Sequence, residues 1–391
     1  MGRKERKMRS GKVWVSTAVM TLMISLVGVN SFAAGPAKTV KIGNLTSVTG
    51  AFAFFGGTMT RGIEDAAAAI NAAGGVLGAQ LKVVTVDDGS DKVQGTTVVK
   101  KLAGDKDVLV IGNMSSLVLI ATAPLYEEYH VPVISLGSAT DWDLTPYKGK
   151  FNNYTFRMST VAEQVLPTMF DKLQAKLNFH SIAIIFDAKN DFCVSAKNFC
   201  VDAMKRKGVK VTDIESAMTN DTDFKAQITK MMPDKPDVVF ADFTINERAL
   251  FARQARDLGW NVQLIAPNMI DPQEFTLSGG AVQGMIGLGN WDPTEDRPLT
   301  KAYVTDFRNK HNGEDPNQYD ALGRDFVYII ADALKRAGTT TDREAFRRAL
   351  GQTKNFEGVC GFYTWNDKGD NATPLVHFVT LDKQGRIVGW K

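Results

Sequence analysis

The sequence predicts an α/β protein built as two doubly wound parallel-sheet lobes. Three observations carry that expectation. Short apolar strands alternate with amphipathic helices along most of the chain, the pattern of parallel sheets covered by helices on both faces. The alternation comes in two series, with the second beginning after Arg157. The length, about 358 residues once an N-terminal leader is set aside, exceeds what one hydrophobic core usually serves.

The leader comes first. Arg3, Lys4, Arg6, Lys7, Arg9 and Lys12 stand against the single acid Glu5, an uncharged run follows from Val13 to Val29, and Asn30-Ser31-Phe32-Ala33-Ala34 closes the segment. A basic stretch, an apolar stretch and small residues at a cut site, in that order, form an export signal, so residues 1–33 are expected to be removed by cleavage near Ala33. As a membrane anchor the run is at the short end of the roughly 17–25 residues a span needs, and Ser16, Thr17, Thr21 and Ser25 dilute it. No cysteine lies near the cut, so no lipid-modified N-terminus is expected. Six of the 46 basic side chains and one of the 43 acidic ones belong to this leader, which leaves the remainder slightly acidic. Such an evenly mixed surface offers no electrostatic footprint for nucleic acid or anionic lipid.

The first series then reads as a strand Thr39–Leu45, a glycine-rich loop, a helix from about Thr60 to Ala73, a strand Leu81–Asp87 and a helix through Gln94–Ala103. A strand Val108–Ile111, a helix Ser116–His130 and a strand Val131–Ser135 complete it. The second series has helices near Ala162–Leu177 and Val194–Lys207 and at Phe224–Met232 and Glu247–Leu258. They alternate with strands Ser181–Phe186, Lys210–Ser216, Asp237–Phe243 and Gln263–Ala266. The tail departs from the pattern, with helices at Pro316–Gly338 and Arg343–Gly351, then Phe362–Trp365 and Val376–Leu381 alternating like antiparallel strands. No clean linker separates the two series, as expected of a chain that passes several times between lobes. Cys193 and Cys200 fall seven apart on a helix, roughly 10 Å and beyond disulfide reach of about 7 Å. A Cys200–Cys360 bridge stays open beside the plainer expectation of three buried thiols.

An enzyme needs a constellation, and none is legible. The chain has no G-x-S-x-G elbow, no G-x-x-x-x-G-K-[ST] phosphate loop and no H-E-x-x-H pair. His130, His180, His311 and His377 are isolated, none at metal-ligand spacing with another His or Cys. A G-x-G-x-x-G turn is missing after the first strand, which argues against a dinucleotide dehydrogenase. No catalytic group, metal or cofactor is therefore expected.

What stands out is a set of loops at strand C-termini, where open parallel sheets bind ligands. Ser47–Gly57 is glycine-rich and carries Phe52, Phe54 and Phe55. Gly112-Asn113-Met114-Ser115-Ser116 runs straight into an apolar helix, whose first N–H groups and dipole favour an anion. One of the serines suffices as the helix cap, leaving a hydroxyl to spare. Gly137-Ser138-Ala139-Thr140-Asp141-Trp142 follows the next strand, so Ser116 and Thr140 are expected side by side as a carboxylate clamp.

At these loops the chain resembles the periplasmic solute-binding proteins of ABC importers for branched-chain amino acids and related solutes, of the type I periplasmic-binding fold. The resemblance runs through Ile42–Gly57, Ile70–Gly78, Asp87-Asp88, Ile111–Ser116, Pro132–Leu144, Arg157, Ile182–Phe192, Pro236–Phe240, Arg253–Arg256, Tyr319–Asp325 and Thr364–Asp370. It implies a periplasmic, monomeric trap whose lobes are joined by a three-crossover hinge, with residues 38–157 and 289–355 in lobe 1 and 158–288 and 356–391 in lobe 2. It implies a small carboxylate or amino acid as ligand, an inner-membrane permease as partner and no nucleic acid. A ligand sensor signalling to a membrane receptor on the same fold is the alternative. By position, Ser116 looks like the serine that holds the ligand carboxylate and Thr140 like its partner. Met114, Ser115, Ser138 and Ala139 fall at contact positions, Phe55 over the ligand, Phe192 at a closing aromatic and Tyr319 at the wall of the side-chain pocket. Two positions depart from the pattern. Asn268 stands where branched-chain amino acid binders place a glutamate for the ammonium, and Thr244 where they place a second closing tyrosine. The disulfide of those proteins is absent too, its positions falling at Ser90 and Ser115. The carboxylate half of amino-acid recognition is thus retained and the ammonium half is in question.

Overall fold

The computed structural model describes Gly2 and residues 38–137, 153–159 and 162–391. The first series runs β1 (Thr39–Thr46), α1 (Ala53–Ala72), β2 (Gln80–Asp87), α2 (Lys92–Gly104), β3 (Val108–Asn113), α3 (Ser116–Glu128), β4 (Val133–Ser135) and β5 (Thr155–Arg157). Its strands form one parallel sheet in the order β2-β1-β3-β4-β5. The second series runs α4 (Ala162–Leu177), β6 (Ser181–Asp187), α5 (Asp191–Lys207), β7 (Lys210–Ala217), α6 (Lys225–Met231), a 3-10 turn Met232–Asp234, β8 (Val238–Asp242), α7 (Ile245–Asp257), β9 (Gln263–Ile265), α8 (Pro272–Ser278) and β10 (Gly287–Gly289). Here β7-β6-β8-β9 make a second parallel sheet. The tail adds α9 (Pro298–Lys310), α10 (Gln318–Ala337), α11 (Arg343–Gly351), β11 (Phe356–Gly358), β12 (Gly361–Tyr363), β13 (His377–Leu381) and β14 (Ile387–Gly389), with antiparallel β10-β13-β14 and β11-β12. The doubly wound α/β fold expected from the alternation is the fold observed.

The central strands explain themselves. Every residue of β3 and β8 is buried, as continuous apolar runs must be when helices cover both faces of a parallel sheet. The edge strand β7 is instead exposed or half-buried at every position but its last, Ala217. Helix α1 lies close on α10 because glycines let their backbones meet. A Cβ on Gly62 would stand 2.1 Å from the Asp320 carbonyl oxygen, and one on Gly323 2.5 Å from that of Met59.

Side-chain packing sorts the chain into two bodies. One core joins Val40, Ile42, Ile134 and Met158 to Trp291, Phe326, Ile330, Phe346, Tyr363 and Trp365. The cores around the second sheet draw on residues from Val165 to Leu288 and on Val379, Leu381 and Ile387. The chain therefore passes between them three times, at 158–165, 288–291 and 365–376. The β11–β12 hairpin folds back on α10. Buried Asp325 there accepts the N–H groups of Val359 (2.8 Å) and Cys360 (2.9 Å) and the Tyr363 hydroxyl (3.0 Å). Cys193, Cys200 and Cys360 are all free and buried, and Cys200 and Cys360 belong to different cores, so the bridge left open between them does not form.

Candidate functional site

In each sheet the connections wind outward in opposite directions from a switch point, between β1 and β3 in one and between β6 and β8 in the other. Ligands of doubly wound sheets bind at such points, off the strand C-termini. The two switch points share one cleft of about 280 Å³, lined from the first sheet by Phe52, Phe55, Ser90, Met114, Ser115, Ser116 and Gly137. The second contributes Lys189, Asn190, Asp191, Phe192, Thr219, Phe243, Thr244 and Asn268, and α10 adds Tyr319. A cavity of about 110 Å³ shares Ser116, Gly137, Phe192, Asn268 and Tyr319 with it and continues past Leu136, Ser159, Val165, Leu288, Asn290, Gln318 and Leu322.

On the first sheet's side, adjacent carboxylates pin the loop after β1. Asp87 accepts the N–H groups of Val48 (2.8 Å), Thr49 (3.1 Å) and Gly89 (2.9 Å) and the Thr49 hydroxyl (2.6 Å). Burial would raise its pKa, but the bonds from Thr49, Gly89 and Val48 hold it below the usual carboxylate range. Asp88 takes the Ser47 hydroxyl at 2.6 Å. The loop is shorter than the sequence suggests: α1 already begins at Ala53, so Phe54 and Phe55 are helical. Phe55 packs on Tyr319 with ring centroids 5.0 Å apart. Ser115 occupies the N-cap position of α3, yet its side chain makes no capping bond. Ser116 opens the helix, where the first N–H groups lack intrahelical partners. Tyr319 stands at the start of α10, its N–H held by the capping Asn317 at 2.8 Å. Burial, opposed by the nearby Arg248 charge, pushes its phenol up to about 12.

On the second sheet's side, Asn190 caps α5 by accepting the Phe192 N–H at 3.0 Å, which sets Phe192 at the cleft. Thr244 caps nothing and donates its hydroxyl to Glu247. Behind Asn268 lies Arg248, 2% exposed, bonded through Nε to Glu274 Oε2 (2.7 Å) and through its terminal nitrogens to Glu274 Oε1, the Met269 carbonyl (2.9 Å) and Asn268 Oδ1. Asp242 sits beneath this wall. Burial pushes its carboxyl up to about 7, and the Cys193 thiol donates to its Oδ1 at 3.2 Å.

Among the described residues no three His, Cys, Asp or Glu side chains are grouped to hold a metal. The arrangement, two facing walls with a helix N-terminus, spare hydroxyls, amides and aromatic rings, suits reversible capture of a small anion bearing an apolar group. The family model described as "Periplasmic binding protein" matches residues 39–386. The chain belongs to the periplasmic binding protein family. A Leu/Ile/Val-binding protein homolog 1 from Brucella abortus (strain 2308) is 30% identical over 359 residues, covering 90% of this chain and 92% of that one. A leucine-binding protein of Thermotoga maritima superposes with a TM-score of 0.79 at 25% identity, covering 90% and 98% of the two chains. A branched-chain amino acid substrate-binding protein of Streptococcus pneumoniae in complex with isoleucine gives 0.81 at 24%, again over 90% and 98%.

The cleft of this periplasmic binding protein brings together Phe55, Met114, Ser115, Ser116, Phe192, Thr244, Asn268 and Tyr319. Ser138, Ala139 and Thr140 lie outside the described residues, as do Asp141 and Trp142. Near Asn268, Asp191 lines the cleft but is exposed. Asp242 is fully buried behind the wall. Sequence reasoning missed Ser159, Asn290 and Gln318. Gln318 was within reach, since it directly precedes Tyr319; Ser159 and Asn290 follow three-residue strands that leave no periodic signal.

Proposed function

We propose that this periplasmic binding protein is the exported solute-binding component of an ABC importer, taking a small carboxylate with an apolar side group and delivering it to an inner-membrane permease. The observation that best supports this is the cleft itself, which draws its walls from strand-end loops of both lobes. A ligand touching both walls binds the closed arrangement better than the open one and shifts the population toward it. In this proposal the Ser116 hydroxyl and the first N–H groups of α3 take the carboxylate, with Thr140 as the expected partner. Phe55, Phe192 and Tyr319 enclose the side group. The relatives named for leucine, isoleucine and valine make an aliphatic side group the first to test. The protein works as a monomer, without cofactor and without turning its ligand over, and residues 1–33 serve as its export signal.

The test is isothermal titration calorimetry on protein unfolded and refolded to strip carried-over ligand, with a panel of aliphatic and aromatic acids and amino acids. Saturable binding of at least one carboxylate in the micromolar range, about 8 kcal/mol, is expected, with the ligand recovered unchanged. A folded protein that binds no member of the panel overturns the proposal.

A further inference from the structure

Two of the three primary amides lining the inner cavity, Asn268 and Gln318, point to the second polar group of the ligand. Arg248 is held by Glu274 on one edge and spends a terminal nitrogen on Asn268. A guanidinium only donates, so the Asn268 group facing it must be the oxygen, whichever way the amide is drawn. Its NH2 is thereby turned away from Arg248 and has no partner among the described residues, while the side chain lines both cavities. The same logic applies to Gln318, which is 7% exposed. Its Oε1 accepts the Asn290 backbone N–H at 2.7 Å, again from a group that can only donate. Its NH2 is left without a partner among the described residues, and it too lines the inner cavity.

Asn268 and Gln318, their oxygens committed, thus offer donors where an amino-acid ligand would need acceptors, while the amide of Asn290, which also lines the cavity, can turn either end toward a ligand. No described residue lining the inner cavity carries a charge. The one carboxylate among the described residues of the outer cleft, Asp191, is exposed and has Lys189 near it in the lining. An ammonium placed against NH2 groups would leave donors facing donors, each stripped of water. A carbonyl oxygen, with two lone pairs and no proton, satisfies them.

Granting that the cleft is the solute site proposed above, we propose that its substrate class is the 2-oxo acids with an apolar side chain, selected over the amino acids of the same skeleton by Asn268 and Gln318. Recognition then rests on Ser116 at one end and the two amides at the other.

The experiment is calorimetry of the refolded protein with matched triplets. Each triplet holds an amino acid, its 2-oxo acid and its unsubstituted acid: leucine, 4-methyl-2-oxopentanoate and 4-methylpentanoate, and likewise the valine and phenylalanine skeletons. For at least one skeleton the 2-oxo acid should bind ten times or more tighter than both others. Asn268→Asp and Gln318→Glu, each of which supplies an acceptor, should erase that preference and improve the amino acid at least tenfold. An amino acid binding more tightly than its 2-oxo partner in the unmodified protein overturns the inference and leaves the solute-binding proposal standing. A preference unchanged in both folded variants overturns the role of the amides. Failure of every member of every triplet to bind removes the proposed site, and the inference with it.

Discussion

Arg157 and Asp370, 213 residues apart in sequence, form a buried ion pair (Nε to Oδ1, 2.8 Å) that ties the end of β5 to the segment after β12. Backbone bonds run beside it, from Arg157 N–H to the Gly369 carbonyl (2.8 Å) and from Asn371 N–H to the Arg157 carbonyl (3.1 Å). Arg157 is 2% exposed and Asp370 4%, so both charges are shielded from water. Removing one member of a buried pair typically costs about 3–5 kcal/mol. Asp370→Ala should lose stability on that scale in urea denaturation, whereas exchanging both partners for apolar residues should cost much less. A loss below 1 kcal/mol for the single substitution would show that the pair does not hold these segments together.

Ser116 belongs to the first turn of α3 and lines both cavities. If its hydroxyl and the neighbouring N–H groups take the ligand carboxylate, Ser116→Ala should weaken binding at least tenfold, since hydrogen bonds to charged groups are worth roughly 1.5–3 kcal/mol. Thr140→Val should do the same, with the melting temperature of the unliganded protein unchanged in both. Titration curves identical to the unmodified protein in both variants would sink the clamp.

Much of this was legible in the sequence because parallel sheets leave a strong signal. The buried runs of β3 and β8 and the amphipathic α10 announce themselves by composition and period. The three-residue strands β5 and β10 do not, since a period of two cannot show in so few residues, and helices α8 and α9 were missed with them. The start of α1 was misplaced for another reason. Gly56 and Gly57 read as loop, but a Cβ on Gly56 would come within 2.0 Å of the Ser47 carbonyl oxygen, so this glycine serves close packing inside a helix. At the cleft the residue types at the strand ends were readable, while the hydrogen-bond polarity of Asn268 was not. It follows from Arg248, twenty residues earlier and on another element, and only the fold brings the two together.

The three thiols should be chemically silent. Burial pushes Cys193, Cys200 and Cys360 well above the ordinary thiol range, and the thiolate is the reactive species. An aromatic disulfide reagent at pH 8 should therefore label none of them in the native protein and all three in denaturant. A thiol modified faster than the protein unfolds would contradict the packing of its core.

Asp242 makes stability depend on pH in a definite direction. Burial raises its carboxyl from the ordinary value to about 7, with the Cys193 thiol and the Arg248 charge opposing the shift. In the unfolded chain it titrates near the ordinary aspartate value of about 3.9. A folded-state pKa raised above the unfolded one means the folded form holds its proton more tightly. Its contribution is fully present below pH about 4 and is lost as pH rises to about 7, on the order of 4 kcal/mol across that window. Asp271, pushed by burial to about 7 as well, slopes the same way, so the informative quantity is the difference between the unmodified protein and Asp242→Asn. That difference should be small at pH 4 and grow in favour of the asparagine variant up to pH 8. An amide fills the carboxyl's space without a charge, and Asp242 Oδ2 has no partner among the described residues to lose. Chemical denaturation of both proteins at pH 4, 5.5, 7 and 8 measures it, and parallel stability curves would mean that Asp242 titrates as it does in the unfolded chain.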